Sequence, residues 1–183
     1  MKVLTTFAVL LALGACGTAD RIAVQTPAVT DSIRISFRSV EVRDVSLPSY
    51  AAADEISQEA EDGTIVASDV LWADAPERAV ALQLSENLTR LSGARIASEP
   101  WPFEAYPQAR LYVRFSQMGA RTDGLFRVSG QYFVANLEGG REQSGLFDLN
   151  VPYDPKGGPA AIARARGRVI LDLSKFIARE GLR

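Results

Sequence analysis

The amino-acid sequence predicts one α+β domain, in which a mostly antiparallel sheet has two main helices packed against it. Two segments repeat apolar residues at the spacing of an amphipathic helix, and a run of alternating apolar and polar residues lies between them. Consecutive strands with the helices kept apart from them are typical of α+β folds. We expect a signal peptide at residues 1–15, a tether at 16–30 and the single domain at 31–183.

The tether and the first predicted strand differ in composition. Residues 16–30 are rich in small, polar and proline residues, and their apolar patch Ile22-Ala23-Val24 can add a short strand to the sheet. Strict alternation over residues 33–37 predicts a half-buried strand. This strand is expected to continue over residues 40–42 after a bulge near Ser39.

A β-hairpin is predicted over residues 55–67, because two strand-like segments flank the turn sequence Asp62-Gly63. Its acidic residues raise the alternative of a calcium site: Asp54, Glu55, Glu59, Glu61 and Asp62. They lack the regular ligand spacing and the terminal Glu of an EF-hand loop, so we interpret them as a solvated acidic hairpin.

The first long helix is predicted to begin at Asp74-Ala75-Pro76-Glu77. Asp74 can cap free backbone amides, proline is tolerated in the first turn, and Glu77 can complete a capping box. Gly93 is suited to end the helix. The apolar stripe can be a partner-binding groove or simply core, and we favour core. The stripe consists of Val80, Ala81, Leu84, Leu88 and Leu91, with Arg78, Gln83, Glu86 and Arg90 mostly on other sides.

Four further strands are predicted after this helix. Arg95-Ile96-Ala97 is typical of a short strand, and the prolines between residues 100 and 107 exclude regular structure up to about Ala109. Three longer strands then form an antiparallel meander, with turns at Thr122-Asp123-Gly124 and Glu138-Gly139-Gly140. Gly130, inside the middle strand, indicates a bulge or a close contact with another element.

The last helix is predicted to follow a loop at residues 152–159 and to run to about Glu180. Its apolar side contains Ile162, Val169, Leu173, Phe176 and Ile177, and its charged side contains Arg164, Arg168, Asp172, Lys175 and Arg179. This basic face can meet anionic lipid head groups. Because Asp172 lies within pairing distance of Arg168 and Lys175, we favour a solvated, partly self-neutralised face.

The composition excludes several kinds of site. Cys16 is the only cysteine and the chain has no histidine, which excludes disulfides, Cys-Cys zinc sites and imidazole bases. After removal of residues 1–15, 19 basic and 22 acidic residues remain, a formal charge of −3 that gives no indication of a nucleic-acid partner. We predict no metal and no cofactor.

Catalysis is not expected. Ser129 and Ser144 have no histidine to activate them, and a Ser-Lys pair would have to use Lys156, in a Gly/Pro loop, or Lys175, on a charged helix face. Paired carboxylates remain open as a weak glycosidase alternative. A set of aromatic residues can form a binding surface or fill gaps in the core, and for each one alone we favour packing. The set is Trp72, Trp101, Tyr106, Tyr112, Tyr132 and Phe133.

Residues Leu13-Gly14-Ala15-Cys16 close a short apolar segment and resemble the lipobox of a bacterial lipoprotein signal. The resemblance implies cleavage before Cys16, a diacylglycerol thioether on its sulfur and a further acyl chain, such as palmitate, on its amine. More than one chain makes membrane attachment stable. Gly17, in place of Asp, implies sorting to the outer membrane, with anchoring in the inner membrane as the alternative.

Several further stretches resemble the PqiC-like auxiliary lipoproteins of ABC-type transport systems. They are Val45-Ser46-Leu47-Pro48-Ser49-Tyr50, Leu71-Trp72-Ala73-Asp74, Leu84-Ser85-Glu86-Asn87-Leu88, Pro100-Trp101-Pro102, the meander and the C-terminal helix. Two stretches depart from the family pattern, because Ile22-Ala23-Val24 replaces an aromatic strand and Ala51-Ala52-Ala53 replaces a charged context. These departures imply a shift in partner contacts.

The resemblance implies a periplasm-facing accessory lipoprotein that works beside an MCE-domain protein in the transport of lipids or other hydrophobic molecules between membranes. Self-association into a homo-oligomer stays open. The main alternative is a structural or assembly lipoprotein of outer-membrane biogenesis, and a carboxylate-dependent envelope hydrolase is a third.

Overall fold

The computed structural model describes residues 19–183, and these residues form eight strands and three α-helices. The elements are β1 (Arg21–Ile22), β2 (Ser39–Val42), α1 (Ser49–Ala52), β3 (Glu55–Glu59), β4 (Ile65–Trp72), α2 (Pro76–Ser92), β5 (Arg95–Ser98), β6 (Ala109–Arg121), β7 (Leu125–Asn136), β8 (Gln143–Pro152) and α3 (Gly158–Glu180). A 3₁₀ turn at Pro155–Gly157 leads into α3.

Strand β6 is the centre of the sheet. One edge of β6 pairs antiparallel with β7, which pairs antiparallel with β8, so the predicted meander is confirmed. The other edge pairs in parallel with β2 near Ala109 and with β3 near Ala120. Between these two strands, the backbone of Ser46 bonds to Val113 and Phe115 at 3.1 and 2.8 Å. Two separate strand groups therefore share one edge of β6.

The rest of the sheet extends from β2 and β3. β5 pairs in parallel with β2, β4 pairs antiparallel with β3, and β1 pairs in parallel with β4. Helices α2 and α3 pack against each other and against strands of the sheet. The predicted α+β class, with two main helices on a mostly antiparallel sheet, is confirmed, and the hairpin predicted over residues 55–67 is β3–β4.

The strand predicted over residues 33–37 is wrong, since the first strand after β1 begins at Ser39. This segment instead crosses the ends of two helices, where Ile33 N donates to Leu91 O and Ser36 N donates to Leu182 O, each at 2.7 Å. Ile33 is buried while its neighbours Ser32 and Arg34 are exposed. The alternation of apolar and polar residues therefore arises because an extended segment buries Ile33, and not because the segment pairs with another strand.

Helix α2 has the predicted stripe and the predicted end, but its start differs. Val80, Leu84, Leu88 and Leu91 are fully buried, and Gly93 ends the helix in the left-handed conformation with its N–H bonded to Thr89 O. The predicted capping by Asp74 and Glu77 is wrong: Ala75 is the N-cap residue, and no side chain caps the helix. Gln83 was predicted to lie outside the buried face, and this prediction is also wrong, because Gln83 is buried.

Helix α3 ends at Glu180, as predicted, but it begins at Gly158, inside the loop predicted at residues 152–159. The expected pairing of Asp172 with Arg168 and Lys175 is wrong. Lys175 Nζ lies 2.6 Å from Asp31 Oδ2, and Arg168 donates to the carbonyl of Pro152 at 2.6 Å. Within residues 19–183, Asp172 forms no ion pair. None of the described helices is long and apolar enough to cross a membrane.

Gly130 occupies the close contact that the sequence predicted. A Cβ at this position would lie 2.1 Å from the carbonyl oxygen of Arg114, and the pairing register of β6 shifts between Phe115 and Gln117, opposite this glycine. Both the bulge and the close approach are therefore present, and the ring of the buried Phe147 would also lie 2.9 Å from a Cβ at this position.

Candidate functional site

A cleft of about 230 Å³ lies where the N-terminal segment, the end of β4, helix α2 and helix α3 meet. Its lining residues are Ile22, Ala23, Val24, Thr26, Trp72, Ala73, Asp74, Ala79, Leu82, Gln83, Glu86 and Arg166. Aliphatic side chains and the Trp72 ring supply apolar walls, and Arg166 supplies a cation. The cleft therefore combines apolar surface with one buried charge.

Strand β1 places the N-terminal segment beside the end of β4. Ile22 is in register with Trp72, the N–H of Ala73 donates to Ile22 O at 3.0 Å, and the guanidinium of Arg21 donates to Trp72 O at 2.9 Å. Farther along, Gly167 of α3 lets the chain approach closely, because a Cβ there would lie 2.4 Å from Gln25 O. The segment that forms one wall of the cleft is thus fixed to the domain at two points.

Arg166 is the most unusual residue of the cleft, because its side chain is only 2% exposed. Its guanidinium carbon lies 4.5 Å from the centre of the Trp72 ring, within the range of a cation–π interaction. One terminal nitrogen donates to the carbonyl oxygen of Pro76 at 3.0 Å, and Nε has no partner among the described residues. A π-face and a carbonyl, rather than a carboxylate, thus stabilise this buried cation.

Burial lowers the pKa of the Arg166 guanidinium to about 10, and the nearby charge of Asp74 opposes this shift only in part. Asp74 is bonded to Arg78 on its own side of the cleft. Arg166 stays protonated at neutral pH, because even the lowered pKa is well above 7. The site therefore holds a positive charge with little water around it.

Tyr50 brings a second sequence motif close to Arg166. A smaller cavity there is lined by Tyr50, Trp72 and Arg166, and the hydroxyl of Tyr50 accepts a hydrogen bond from the N–H of Met118 at 3.2 Å. The stretches around Pro48–Tyr50 and Leu71–Asp74, far apart in the sequence, thus meet at Arg166. Both stretches supply residues that line the cavities beside Arg166.

The stretch from Leu84 to Leu88 joins α2 to α3 by polar contacts inside the core. Asn87 donates to the hydroxyl of Ser174 at 3.3 Å, while its side-chain oxygen has no partner among the described residues. One turn earlier, Gln83 donates to the carbonyl of Gly167 at 2.9 Å. These bonds fix the position of Arg166 on α3 relative to the wall formed by α2.

The aromatic residues singled out from the sequence do not form one surface. Trp72 and Tyr132 are buried, Tyr132 stacks edge-on with Phe176, and Trp101 donates to Ala105 O within its own loop. Tyr106 differs from the packing that we favoured for it, because it is 86% exposed. Trp72 alone of this set lines the cleft.

The residues considered for chemistry are dispersed. In the acidic hairpin, Glu59 pairs with Arg121, and residues 19–183 contain no cluster of three or more residues of the metal-ligating types. Lys156 lies in the 3₁₀ turn before α3, and Lys175 pairs with Asp31. Cys16, the predicted lipidation site, lies outside the described residues.

Arg166 did not emerge from the sequence, although one signal was present. It lies four residues after Ile162 and three before Val169, within the predicted apolar stripe of the last helix. An arginine inside such a stripe is rarely fully buried without a partner, so its position indicates either a buried pair or a ligand. Because Arg164 and Arg168 lie on the same helix and are exposed, Arg166 is easily interpreted as a third exposed arginine.

The model of one protein family, the ABC-type transport auxiliary lipoprotein component, matches residues 22–178. The chain belongs to this family. Auxiliary lipoproteins of this kind are anchored to a membrane, face the periplasm and assist transporters, and the family is not a family of enzymes. The resemblance seen in the sequence is confirmed at the level of the family.

Solved structures share the fold of this auxiliary lipoprotein. An uncharacterised protein is 23% identical, with a TM-score of 0.70 over 88% of this chain and 98% of its own. A protein from Xanthomonas campestris, described as a member of the family DUF330, is 14% identical, with a TM-score of 0.67 over 86% of this chain and 91% of its own. No curated protein matches the chain.

Proposed function

We propose that this auxiliary lipoprotein is anchored in the outer membrane through lipid on Cys16 and serves as an accessory subunit of an MCE-type system that moves lipids between membranes. It holds its partner close to the membrane and has no turnover of its own. The observation that carries the proposal is the family match over residues 22–178, which includes nearly the whole domain.

The short connection between Cys16 and the first strand supports this role. Arg21, the first residue of β1, is only five positions after Cys16, so a fully extended connection reaches at most about 18 Å. An anchored domain on so short a connection gains effective concentration near any partner in the same envelope. Even a modest contact with an MCE-domain protein would then persist.

Site-specific crosslinking in cells tests the partner. A photoreactive amino acid is placed at Val66 on the β3–β4 hairpin, Tyr106 in the loop before β6, or Leu146 on β8, all of which are exposed. The same amino acid at the fully buried Val80 is the matched control. We expect an MCE-domain protein to be captured from at least one exposed position and not from Val80.

The alternatives predict different results. Capture of an outer-membrane assembly protein from these positions would favour the structural or assembly lipoprotein. A hydrolase would instead lose activity after a carboxylate substitution while its complexes stay intact. Capture of no MCE-domain protein, in a strain that demonstrably produces one, would contradict the proposal.

Deletion and mass measurements complete the test. Loss of the lipoprotein is expected to weaken the outer-membrane barrier, most visibly when a parallel transport system is also absent.

Self-association is separate from partner binding. Crosslinking between two copies of this chain, followed by native mass spectrometry, distinguishes a homo-oligomer from a complex with another protein.

A further inference from the structure

Arg166 borders the cleft as a cation that has no anionic partner among residues 19–183. Two carboxylates also line the cleft, but Asp74 is paired with Arg78, and Glu86 lies 3.6 Å from Arg90. Each acid thus has its own arginine at the rim, whereas the guanidinium of Arg166 has only the Trp72 ring and one carbonyl. A buried cation with these partners lacks the anion that would balance its charge.

The walls of the cleft indicate what else such an anion must carry. Ile22, Val24 and Leu82 contribute aliphatic surface, and Trp72 contributes a ring that already faces the guanidinium. A free inorganic ion would leave these walls in contact with water. A ligand with a small charged head and an alkyl chain would cover the walls and pair with the cation at once.

The volume limits the size of the ligand. About 230 Å³ is below the roughly 300–1,000 Å³ of sites that enclose a drug-sized molecule. The cleft can therefore hold an anionic head and the first several carbons of one alkyl chain, and the rest of a longer chain would leave through the open side.

We propose that this cleft binds a single-chain anionic amphiphile, whose carboxylate or phosphate monoester pairs with Arg166 while its alkyl chain packs on Trp72 and Leu82. Two sources share this chemistry: a fatty acid and a lipid with a terminal phosphate. The site is independent of the MCE-type partner, so the crosslinking result and the binding result can fail separately.

Trp72 provides a direct readout of binding, because it contacts both the cation and the proposed chain. The protein has two tryptophans, and Trp101→Phe leaves Trp72 as the only one. The full lipoprotein with this change is placed in phosphatidylcholine nanodiscs and titrated with bromohexanoate, whose terminal bromine quenches a tryptophan on contact. Bromohexanol, which has the same chain without a charge, is the matched neutral probe.

We expect bromohexanoate to quench Trp72 at saturable concentrations at least tenfold lower than bromohexanol does. Unlabelled hexanoate and hexyl phosphate are then used as competitors, and the tighter of the two assigns the source. Arg166→Met should weaken binding of the anionic probe about ten- to a hundredfold, as expected for the loss of a charge-assisted hydrogen bond. Binding of bromohexanol should not change.

Two further variants keep the test decisive if Arg166→Met folds poorly. Ala79→Phe fills the cleft from the side of α2 and should abolish quenching by both probes. Arg164→Met removes an exposed positive charge from the same helix and should leave binding unchanged. Equal affinity for bromohexanoate and bromohexanol, or unchanged quenching in Ala79→Phe, would overturn the proposal.

Discussion

A guanidinium buried without a carboxylate in contact costs free energy at every ordinary pH. Burial lowers the pKa of the Arg166 guanidinium from its ordinary value to about 10, which corresponds to a cost on the order of 3 kcal/mol. Below pH 10 the residue is charged in both the folded and the unfolded chain, so the full cost is present at neutral pH. It decreases only above pH 10, where the folded state can lose the proton.

From this cost we predict that Arg166→Met does not destabilise the protein much. The substitution removes the burial penalty together with the bond to Pro76 O, a carbonyl that also accepts an N–H within α2, so the free energy of unfolding should change by less than about 2 kcal/mol. Urea denaturation measures it. Trp72→Ala, which removes a large buried ring, should cost about 3–5 kcal/mol. A loss of similar size in Arg166→Met would mean that Arg166 stabilises the fold.

At the scale of elements, the uncapped start of α2 offers a direct test of the corrected helix boundary. Ala75 is the N-cap residue and is exposed, and it supplies no side-chain acceptor to the first free amides. Ala75→Asp should therefore raise the free energy of unfolding by about 1 kcal/mol. Asp74→Ala removes a partly exposed pair with Arg78 and the acceptor of the Ala75 N–H at 2.9 Å, and it should cost at most about 1 kcal/mol.

These two variants separate the two possible boundaries by thermal or urea unfolding. A cap at Ala75 predicts that Ala75→Asp stabilises the protein and that Asp74→Ala has little effect. If Asp74→Ala instead caused the larger loss, and Ala75→Asp gave no gain, the helix would begin one residue earlier than the structure shows.

The buried stripe of α2 gives a larger effect. Leu84 and Leu88 are fully buried between the helices and the sheet, so Leu84→Asp or Leu88→Asp places a carboxylate where it has no partner. The cost of several kcal/mol is comparable to the total of about 5–15 kcal/mol that stabilises a domain. We expect loss of the cooperative transition in circular dichroism.

Glu86→Leu, on the exposed side of the same helix, is the control and should unfold like the unmodified protein. Similar melting of all three variants would contradict the assignment of the stripe to the core.

The elements that could be predicted from the sequence are those with a long periodic pattern and a clear turn. Leu84 and Leu88 repeat at helical spacing, and Asp123-Gly124 separates two alternating segments, so α2 and the β6–β7 hairpin were predicted correctly. Residues 33–37 show why a short pattern fails, since burial of Ile33 beneath helix ends produces the same alternation as a strand. The parallel pairing of β1 with β4 joins residues about fifty positions apart, and no local pattern encodes it.

The cleft shows the same limit at the level of a site. Trp72 was a candidate from its residue type alone, and the stretches around Pro48–Tyr50 and Leu71–Asp74 were recognised as family-like. Arg166 was not, because its role depends on three elements that meet only in the folded chain: β1, β4 and α2. The charged and apolar pattern predicts that Arg166 lies on a helix. Only the tertiary structure shows that it lines a cleft.

For the whole molecule, attachment and folding are separate properties. The first strand begins at Arg21, and among the described residues the buried apolar core begins at Ile33. The lipid proposed on Cys16 therefore confines the domain without contributing to its core. Loss of the lipid should change where the protein is found but not how it melts.

Cys16→Ser tests this separation, because the acyl chains would be attached through the cysteine sulfur and cleavage would depend on that attachment. We expect an uncleaved or mislocalised precursor that no longer incorporates a fatty-acid analogue, whereas the unmodified chain is labelled and sediments with the outer membrane. Separation of inner and outer membranes on a density gradient measures the location. Gly17→Asp, which keeps the cysteine, should preserve labelling but shift the protein to the inner membrane. An unlabelled and soluble unmodified protein would contradict the anchor itself, while a labelled protein in the inner membrane would contradict only the outer-membrane assignment.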